Sequence, residues 1–223
     1  LSPLTGLPGG NAARTVFAVA VAYNWYSSGW ILGYGSNWPG DYTDFEIGKQ
    51  SWDVLALKAD IQNELTIGSV WSLTPRFVAA TMGSGIGTLY ANGRTLSPTI
   101  DTSTWSTART VGYLGKGVRN DDSWGGEIGE VILYTGMLTA AQMQRVNSYL
   151  AVKWGMTLTT TDYVASDGSV VWSQTGNAGY TNDIAGIGRD DGSGLNQKQS
   201  ASVNAGNVLT VGLGTITTTN AAN

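Results

Sequence analysis

The stretch GGEIGEVILYTGMLTAAQMQRVNSYLAVKWG, residues 125–155, joins one strand to the single helix that the sequence predicts. Residues 127–134 are apolar at nearly every second position and predict a strand buried largely on both faces. Thr139 and Gln142 have the spacing of a capping box, so a helix is expected over 140–153, ending at Gly155. The helix carries an apolar stripe that is expected to cover a sheet: Met143, Val146, Leu150 and Trp154.

The rest of the chain consists of short apolar runs separated by turns, which is typical of an antiparallel all-β protein. Asn92-Gly93 predicts a tight hairpin, because both residues tolerate the positive φ angles of a type I′ turn. The periodicity of residues 52–61 fits either a strand or a helix. Before residue 125 the other predicted strands are 14–22, 30–34, 45–47, 76–82, 87–90 and 109–114.

The run G-x-I-G-E-V-I-L-Y-x-x-x-L-T-x-x-x-x-x-R-V-x-x-Y-L-x-x-K-W-G, from Gly126 to Gly155, resembles the end of bacterial laminin-G-like domains. The resemblance covers roughly residues 10–158 and implies a concanavalin A-like jelly roll, an antiparallel β-sandwich of two sheets. It favours a strand over 52–61. It also implies a large bacterial surface adhesin as the parent protein, with calcium at the rim of the sandwich.

We expect a domain boundary near residues 157–162, where the helix has ended and the chain becomes polar. The predicted units are therefore a jelly-roll sandwich over 1–158 and a β-rich extension over 159–223. Strands of the extension are expected at 164–172, 183–188, 195–203 and 207–214. Residues 182–200 resemble a segment that follows such jelly rolls in adhesins, so we expect this chain to be a piece of a longer protein.

Composition excludes several classes of function. Charged residues make up only 13% of the chain and the net charge is −4, which argues against a nucleic-acid partner. No apolar run is long enough to predict insertion into a membrane. Cysteine and histidine are both absent, so thiolate metal sites, thiol nucleophiles and histidine bases are excluded. We expect an extracellular location at a bacterial cell surface.

Catalysis is the weakest of the functional hypotheses. A retaining glycosidase needs two carboxylates about 5–5.5 Å apart, and Asp44 and Glu46 have the spacing of neighbours on one strand face. Glu127 and Glu130 are three residues apart, which predicts opposite faces of a strand. The alternative for all four is that they are solvated carboxylates at strand ends.

Calcium is the cofactor that the sequence favours, because it takes oxygen ligands from acidic loops. The densest candidate loop is Asn120-Asp121-Asp122, where a cation would relieve the repulsion between adjacent carboxylates. The second candidate is Asp190-Asp191, for which the alternative is an internal ion pair between Arg189 and Asp190 that locks a turn. The third is Asp41 with Asp44.

Aromatic side chains next to Gly and Asn are candidates for stacking on a sugar ring, since Trp presents a flat apolar face with a polar edge. Trp38 and Trp124 fit that description, whereas most aromatics of a sandwich belong to its core. The predicted ligand-binding residues are Trp38, Asp41, Asp44 and Trp124.

The leading functional hypothesis is a non-catalytic module in the ligand-binding region of an adhesin. It would bind a glycan or a surface protein of a host or neighbouring cell, next to further domains of the same long chain. The first alternative is a scaffold that only positions neighbouring ligand-binding domains. A polysaccharide-degrading enzyme is the second.

Overall fold

The computed structural model of the chain describes residues 4–23, 28–36, 43–59, 63–119, 122–181, 184, 186–201 and 210–218. The chain divides into two compact units, one of residues 1–91 and 95–138 and one of residues 92–94 and 139–223. We call them the sandwich unit and the helical unit. This division differs from the predicted boundary near 158, because the helix groups with the segment that follows it.

Two antiparallel sheets form the sandwich unit. Its strands, with a short one at the boundary, are β1 (Arg14–Ala22), β2 (Gly29–Gly35), β3 (Phe45–Ser51), β4 (Val54–Lys58), β5 (Glu64–Ile67), β6 (Arg76–Gly83), β7 (Ile86–Ala91), β8 (Arg94–Thr95), β9 (Ile100–Asp101), β10 (Val111–Leu114) and β11 (Gly126–Tyr134). The six-stranded sheet has the order β11-β1-β6-β7-β8 with β9 on β7, and the five-stranded sheet has the order β10-β2-β3-β4-β5. The predicted fold class, an antiparallel β-sandwich of the jelly-roll kind, is confirmed.

Strand β1 lies in the core of the sandwich, and all nine of its residues are buried. Val16, Ala18 and Ala20 lie in the main hydrophobic cluster, and the alternate residues Phe17 and Val19 are buried on the other face. Each fully buried Val or Phe side chain contributes about 1.5–3 kcal/mol relative to exposure. Burial on both faces explains why β1 reads as a continuous apolar run.

A buried arginine ties the N-terminal arm to the sandwich. Arg14 has no exposed surface, and its guanidinium donates to Tyr34 Oη at 2.8 Å and to Thr107 Oγ1 at 3.0 Å. It also donates to the carbonyl of Gly10 at 2.8 Å. Burial lowers the pKa of Arg14 from its usual value. These acceptors are neutral hydroxyl and carbonyl oxygens, and they replace water around the guanidinium charge. They hold the N-terminal arm on the sandwich without a carboxylate.

Several local predictions are resolved by the strands. Residues 54–58 of the ambiguous segment form β4, which settles it as strand. Asn92 and Gly93 have φ angles of 46° and 79°, as the predicted type I′ turn requires.

The expected strand over 164–172 is instead a pair of short strands. Among the described strands β11 pairs with β1 alone, and it is half-buried, so the prediction of burial on both faces is wrong for residues 127–134.

The helix, α1 (Ala140–Trp154), ends one residue later than predicted. Its capping box is confirmed: Gln142 N donates to Thr139 Oγ1, and Thr139 N donates to Gln142 Oε1. Gly155 ends the helix in the left-handed conformation with a φ of 64°. The buried face differs from the predicted stripe, because it includes polar Asn147 and Ser148 and leaves Val146 partly exposed: Met143, Asn147, Ser148, Leu150 and Ala151.

Ser148, one of the two polar residues on that face, is buried with its hydroxyl group paired. Ser148 Oγ donates to the carbonyl of Gln144 at 2.8 Å and accepts Val164 N at 3.0 Å. The helix contacts three short strands of its own unit, β12 (Tyr163–Val164), β15 (Leu195–Gln197) and β16 (Gln199–Ala201). The other strands of this unit are β13 (Val170–Trp172), β14 (Gly188–Asp190) and β17 (Thr210–Gly212), and the antiparallel pairs are β12–β13, β14–β15 and β16–β17. No helix in the described part of the chain is long and apolar enough to cross a membrane.

We predict that Leu150→Asp unfolds the helical unit. Leu150 is 1% exposed, so the substitution buries an unpaired carboxylate and removes an apolar side chain, at a cost of several kcal/mol. Ala141→Asp is the matched control, because it places the same carboxylate on an exposed position of the first turn, where the helix dipole favours it. In thermal unfolding followed by circular dichroism, only Leu150→Asp should lose an unfolding transition or lower its midpoint temperature strongly. Equal melting of the two variants would contradict the assignment.

Candidate functional site

Four of the predicted site residues lie outside the described residues: Trp38, Asp41, Asn120 and Asp121. The structure places the remaining five, which are Asp44, Asp122, Trp124, Asp190 and Asp191. They are not gathered into one site. Asp190 and Asp191 belong to the helical unit and the other three to the sandwich unit.

Trp124, which the sequence predicts as a residue that stacks on a sugar ring, is buried. It is 8% exposed and belongs to the hydrophobic core. Its ring packs edge-on against Trp71 with centroids 5.0 Å apart, and its Nε1 donates to the carbonyl of Glu127 at 3.2 Å. The glycines after Trp124 indicated a loop, but a large apolar side chain at the end of a sandwich is stabilised most by closing the core.

Asp44 and Glu46 lie at the start of β3 and are almost completely buried, with 1% and 2% exposure. Glu46 pairs with Lys58 across the sheet at 3.2 Å and accepts Val118 N. Asp44 accepts Ser36 N at 3.1 Å and lies 3.8 Å from Arg119. Each carboxylate therefore has a cationic neighbour and a backbone donor, and neither is presented to solvent.

The electrostatics of this pair are unusual for carboxylates. Burial, and next the negative charge of Glu46, raise the pKa of Asp44 to about 7, against the opposing effect of the Arg119 and Lys58 cations. Raised carboxyl pKa values are common in active sites, but buried structural networks produce them too. A general acid must reach its substrate, and these side chains are enclosed by protein in this structure.

The second carboxylate pair is arranged differently from its prediction. Glu127 and Glu130 were expected on opposite faces of β11. A register shift in the β1–β11 pairing leaves Gly129 without a partner, so Glu127 lies opposite Val21 and Glu130 opposite Val19. Partners two residues apart share a face, so both glutamates lie on the same side of the sheet.

The Asp190-Asp191 loop is held together by internal contacts. Asp190 accepts the backbone N–H and the hydroxyl of Ser166 at 2.7 and 2.6 Å, and the N–H of Gly192 at 3.1 Å. Asp191 forms a bidentate ion pair with Arg189. The alternative given for this segment, a turn locked by an ion pair, fits these contacts, although the acid that pairs with Arg189 is Asp191.

Asp122 is exposed and has a φ of 50°, a conformation that Asp tolerates better than most residues. Its carbonyl accepts Trp30 N at 3.2 Å, which fastens this loop to the start of β2. Within the described residues no group of three or more acidic side chains is placed to hold a metal ion. The calcium site at 120–122 therefore stays a prediction.

An exposed aromatic that the sequence reasoning missed lies on the β3–β4 turn. Trp52 is 53% exposed. The next residue, Asp53, accepts three backbone N–H groups of the loop after β5: its Oδ2 accepts Ser69 N at 2.8 Å, and its carbonyl accepts Val70 N and Trp71 N, both at 2.9 Å. The signal that could have revealed it is the polar triplet Ser51-Trp52-Asp53 between two apolar strands, since hairpin turns expose their side chains.

Comparison with protein families gives a match within the helical unit. The family described as "Domain of unknown function (DUF8202)" matches residues 142–223, which is less than half of the chain. Among curated proteins, no sequence match was found.

Solved structures with a similar fold include glycan-processing proteins. A mutant Trypanosoma rangeli sialidase displaying trans-sialidase activity is 18% identical, with a TM-score of 0.48 over 61% of this chain and 23% of that chain. The CBM40 of Ruminococcus gnavus IT-sialidase, bound to α2,3-sialyllactose, is 15% identical, with a TM-score of 0.49 over 59% and 80%. The leech intramolecular trans-sialidase complexed with 2,7-anhydro-Neu5Ac is 16% identical, with a TM-score of 0.50 over 70% and 27%.

The chain thus spans about a quarter of the trypanosomal and leech sialidases. At 16% identity the likeness to the leech enzyme shows the fold alone, and that fold is the β-sandwich that the sequence predicted.

We predict that stability falls as the pH rises from about 4 to about 7, and that Asp44→Asn removes most of this dependence. A smaller part remains from Glu64, because burial raises the pKa of that carboxyl as well. The pKa of Asp44 is about 7 in the folded chain, above its ordinary value of 3.8, so within that window the folded state holds the extra proton. The contribution to the free energy of unfolding falls by about 1.4 kcal/mol per pH unit and is lost above pH 7.

Urea unfolding at several pH values, in EDTA, measures this slope. Asp44→Asn should remove most of it and stabilise the protein at pH 8, because the buried charge is gone. Asp122→Asn, which changes an exposed carboxylate, should keep the wild-type slope. A wild-type slope in Asp44→Asn would contradict the raised pKa.

Proposed function

We propose that this chain is a non-catalytic glycan-binding module of an extracellular bacterial protein, with its ligand surface at the β3–β4 turn. The observation that carries the proposal is the half-exposed indole of Trp52 on a turn that three hydrogen bonds to Asp53 hold in place. An indole face stacks on the apolar C–H face of a pyranose ring while its edge remains polar. An aromatic side chain on a held turn loses little conformational entropy on binding, because only its two side-chain torsions need ordering.

The enclosed carboxylates support a non-catalytic role. In the hydrolysis of a glycosidic bond, one carboxyl group protonates the glycosidic oxygen. The other attacks the anomeric carbon or activates a water molecule. Asp44 and Glu46 instead contact Arg119 and Lys58. Reducing-end release from a polysaccharide that is lost in both Asp44→Asn and Glu46→Gln, with both variants folded, would overturn this part of the proposal.

We place this module in the ligand-binding region of an adhesin, on the basis of the laminin-G-like resemblance. Its partners would be glycans or surface proteins of a host or neighbouring cell, and adjacent domains of the same chain. The scaffold alternative has its own support in the helical unit, where Val170 and Val171 are 57% and 61% exposed. Such apolar exposure suits contact with another protein.

Calcium at 120–122 is the second part of the proposal, and thermal unfolding tests it. An ion that binds only the folded chain stabilises it by about 2.7 kcal/mol at a hundredfold excess over Kd. The melting temperature should rise by about 5–10 °C in millimolar calcium relative to EDTA. The rise should vanish in Asp121→Asn/Asp122→Asn. A rise retained in the double variant would contradict this site, and no rise in the wild type would end the calcium proposal.

A glycan array followed by calorimetry tests the ligand surface. The wild type should bind at least one class of glycan saturably, and Trp52→Ala should raise its Kd roughly thirtyfold, equivalent to about 2 kcal/mol for the loss of an anchoring aromatic. Tyr180→Ala is the control, because Tyr180 is an 81% exposed aromatic of the helical unit. The control should bind as the wild type does. If no glycan binds saturably, the proposal is contradicted and the scaffold is favoured. If both variants lose the same amount of affinity for the glycan, the role of Trp52 is contradicted.

A further inference from the structure

Arg76, the first residue of β6, is partly buried and has few protein partners. Its Nη2 donates to Ser72 Oγ at 3.2 Å, and its buried Nε has no hydrogen-bond acceptor. In the described part of the chain the guanidinium forms no ion pair with a carboxylate. A partly desolvated cation without an anion is costly, so an anion that binds there gains more than at a fully solvated arginine.

The loop that carries Arg76 is the loop that holds the Trp52 turn. Trp71 N donates to the carbonyl of Asp53 at 2.9 Å, and the next residue, Ser72, bonds Arg76. Ser72 Oγ also lies 2.8 Å from Thr74 Oγ1, which adds a pair of hydroxyl groups on the same segment. Backbone hydrogen bonds therefore tie the turn that carries Trp52 to the segment that carries Ser72, Thr74 and Arg76.

This combination matches one class of sugar. An indole stacks on a pyranose ring, hydroxyl side chains bond ring hydroxyls, and a guanidinium fork binds a carboxylate. Arg suits this role better than Lys, because its planar donors match the two oxygens of a carboxylate. The alternative is that Arg76 has a structural role and only orders residues 72–76 through its bond to Ser72. In that case the affinity for a sugar would not depend on the sugar's charge, which an experiment can test.

Building on the proposed function, we propose that the Trp52 surface recognises a carboxylate-bearing sugar, with Arg76 as the residue that pairs with the carboxylate. Two kinds of sugar supply this chemistry. Sialic acids carry the carboxylate on the anomeric carbon, whereas uronic acids carry it at the far side of the ring. The shared requirement is a negative charge next to a ring that can stack.

The test compares matched ligands by calorimetry. One pair is sialyllactose and lactose, and the other is an oligosaccharide ending in glucuronic acid and its glucose-ended counterpart. The wild type should bind the acid at least tenfold more tightly than the neutral partner in one of the pairs, which identifies the source. The methyl ester of the preferred acid should bind as the neutral ligand does.

Substitution of Arg76 separates charge recognition from a structural role. Arg76→Gln should lose the tenfold preference while keeping the affinity for neutral ligand, and Arg76→Lys should retain part of it. Arg94→Gln removes the same charge from an exposed position and should keep the full preference. The methyl-ester measurement uses the unaltered protein, so it decides the matter even where Arg76→Gln unfolds.

Two failures are distinguishable. Saturable, Trp52-dependent binding with equal affinity for acid, ester and neutral sugar would overturn the role of Arg76 and leave the glycan-binding function standing. The same holds if Arg76→Gln weakens both members of a pair equally. Absence of binding to every ligand would overturn the proposed function itself, and this inference with it.

Discussion

Three backbone N–H groups, from Ser69, Val70 and Trp71, converge on Asp53 and fasten the β3–β4 turn to the loop after β5. The candidate ligand surface depends on this constraint. Without it, Trp52 would lie on a free hairpin tip, and ordering that tip would offset much of the gain from stacking. With it, an exposed indole and the Arg76 loop keep a fixed relation, as a preorganised binding surface requires.

Several charged side chains of the sandwich unit are instead largely enclosed by protein. Arg14 is satisfied by neutral oxygens inside the unit, and Glu46 and Asp44 are covered next to Lys58 and Arg119. Such buried pairs add little net stability, because the desolvation of each ion opposes the attraction between them. They do fix how the 116–119 segment lies on the five-stranded sheet, since Val118 N bonds Glu46. Chemistry at this covered face would require that segment to move, whereas the turn at Trp52 is already accessible.

Local chemistry made much of the fold predictable. The capping box of Thr139 with Gln142, the turn at Asn92-Gly93 and the apolar run of β1 each determine the backbone within a few residues. The grouping of the helix with the segment after it was not predictable, because it depends on tertiary contacts such as Val164 N with Ser148 Oγ. The candidate site was harder still. Trp124 and Trp52 both have polar neighbours in the sequence, but Trp124 packs against Trp71 in the core, whereas Trp52 is 53% exposed.

The most direct test of the account is a fluorine NMR titration of protein labelled with 5-fluorotryptophan, with the Trp52 resonance assigned from a Trp52→Phe variant. The array-selected glycan should shift the Trp52 resonance saturably, with the Kd measured by calorimetry. The resonance of buried Trp71 should move little, because its Nε1 bonds the carbonyl of Gly48 inside the sandwich. Saturable glycan binding that leaves the Trp52 resonance in place would contradict the account.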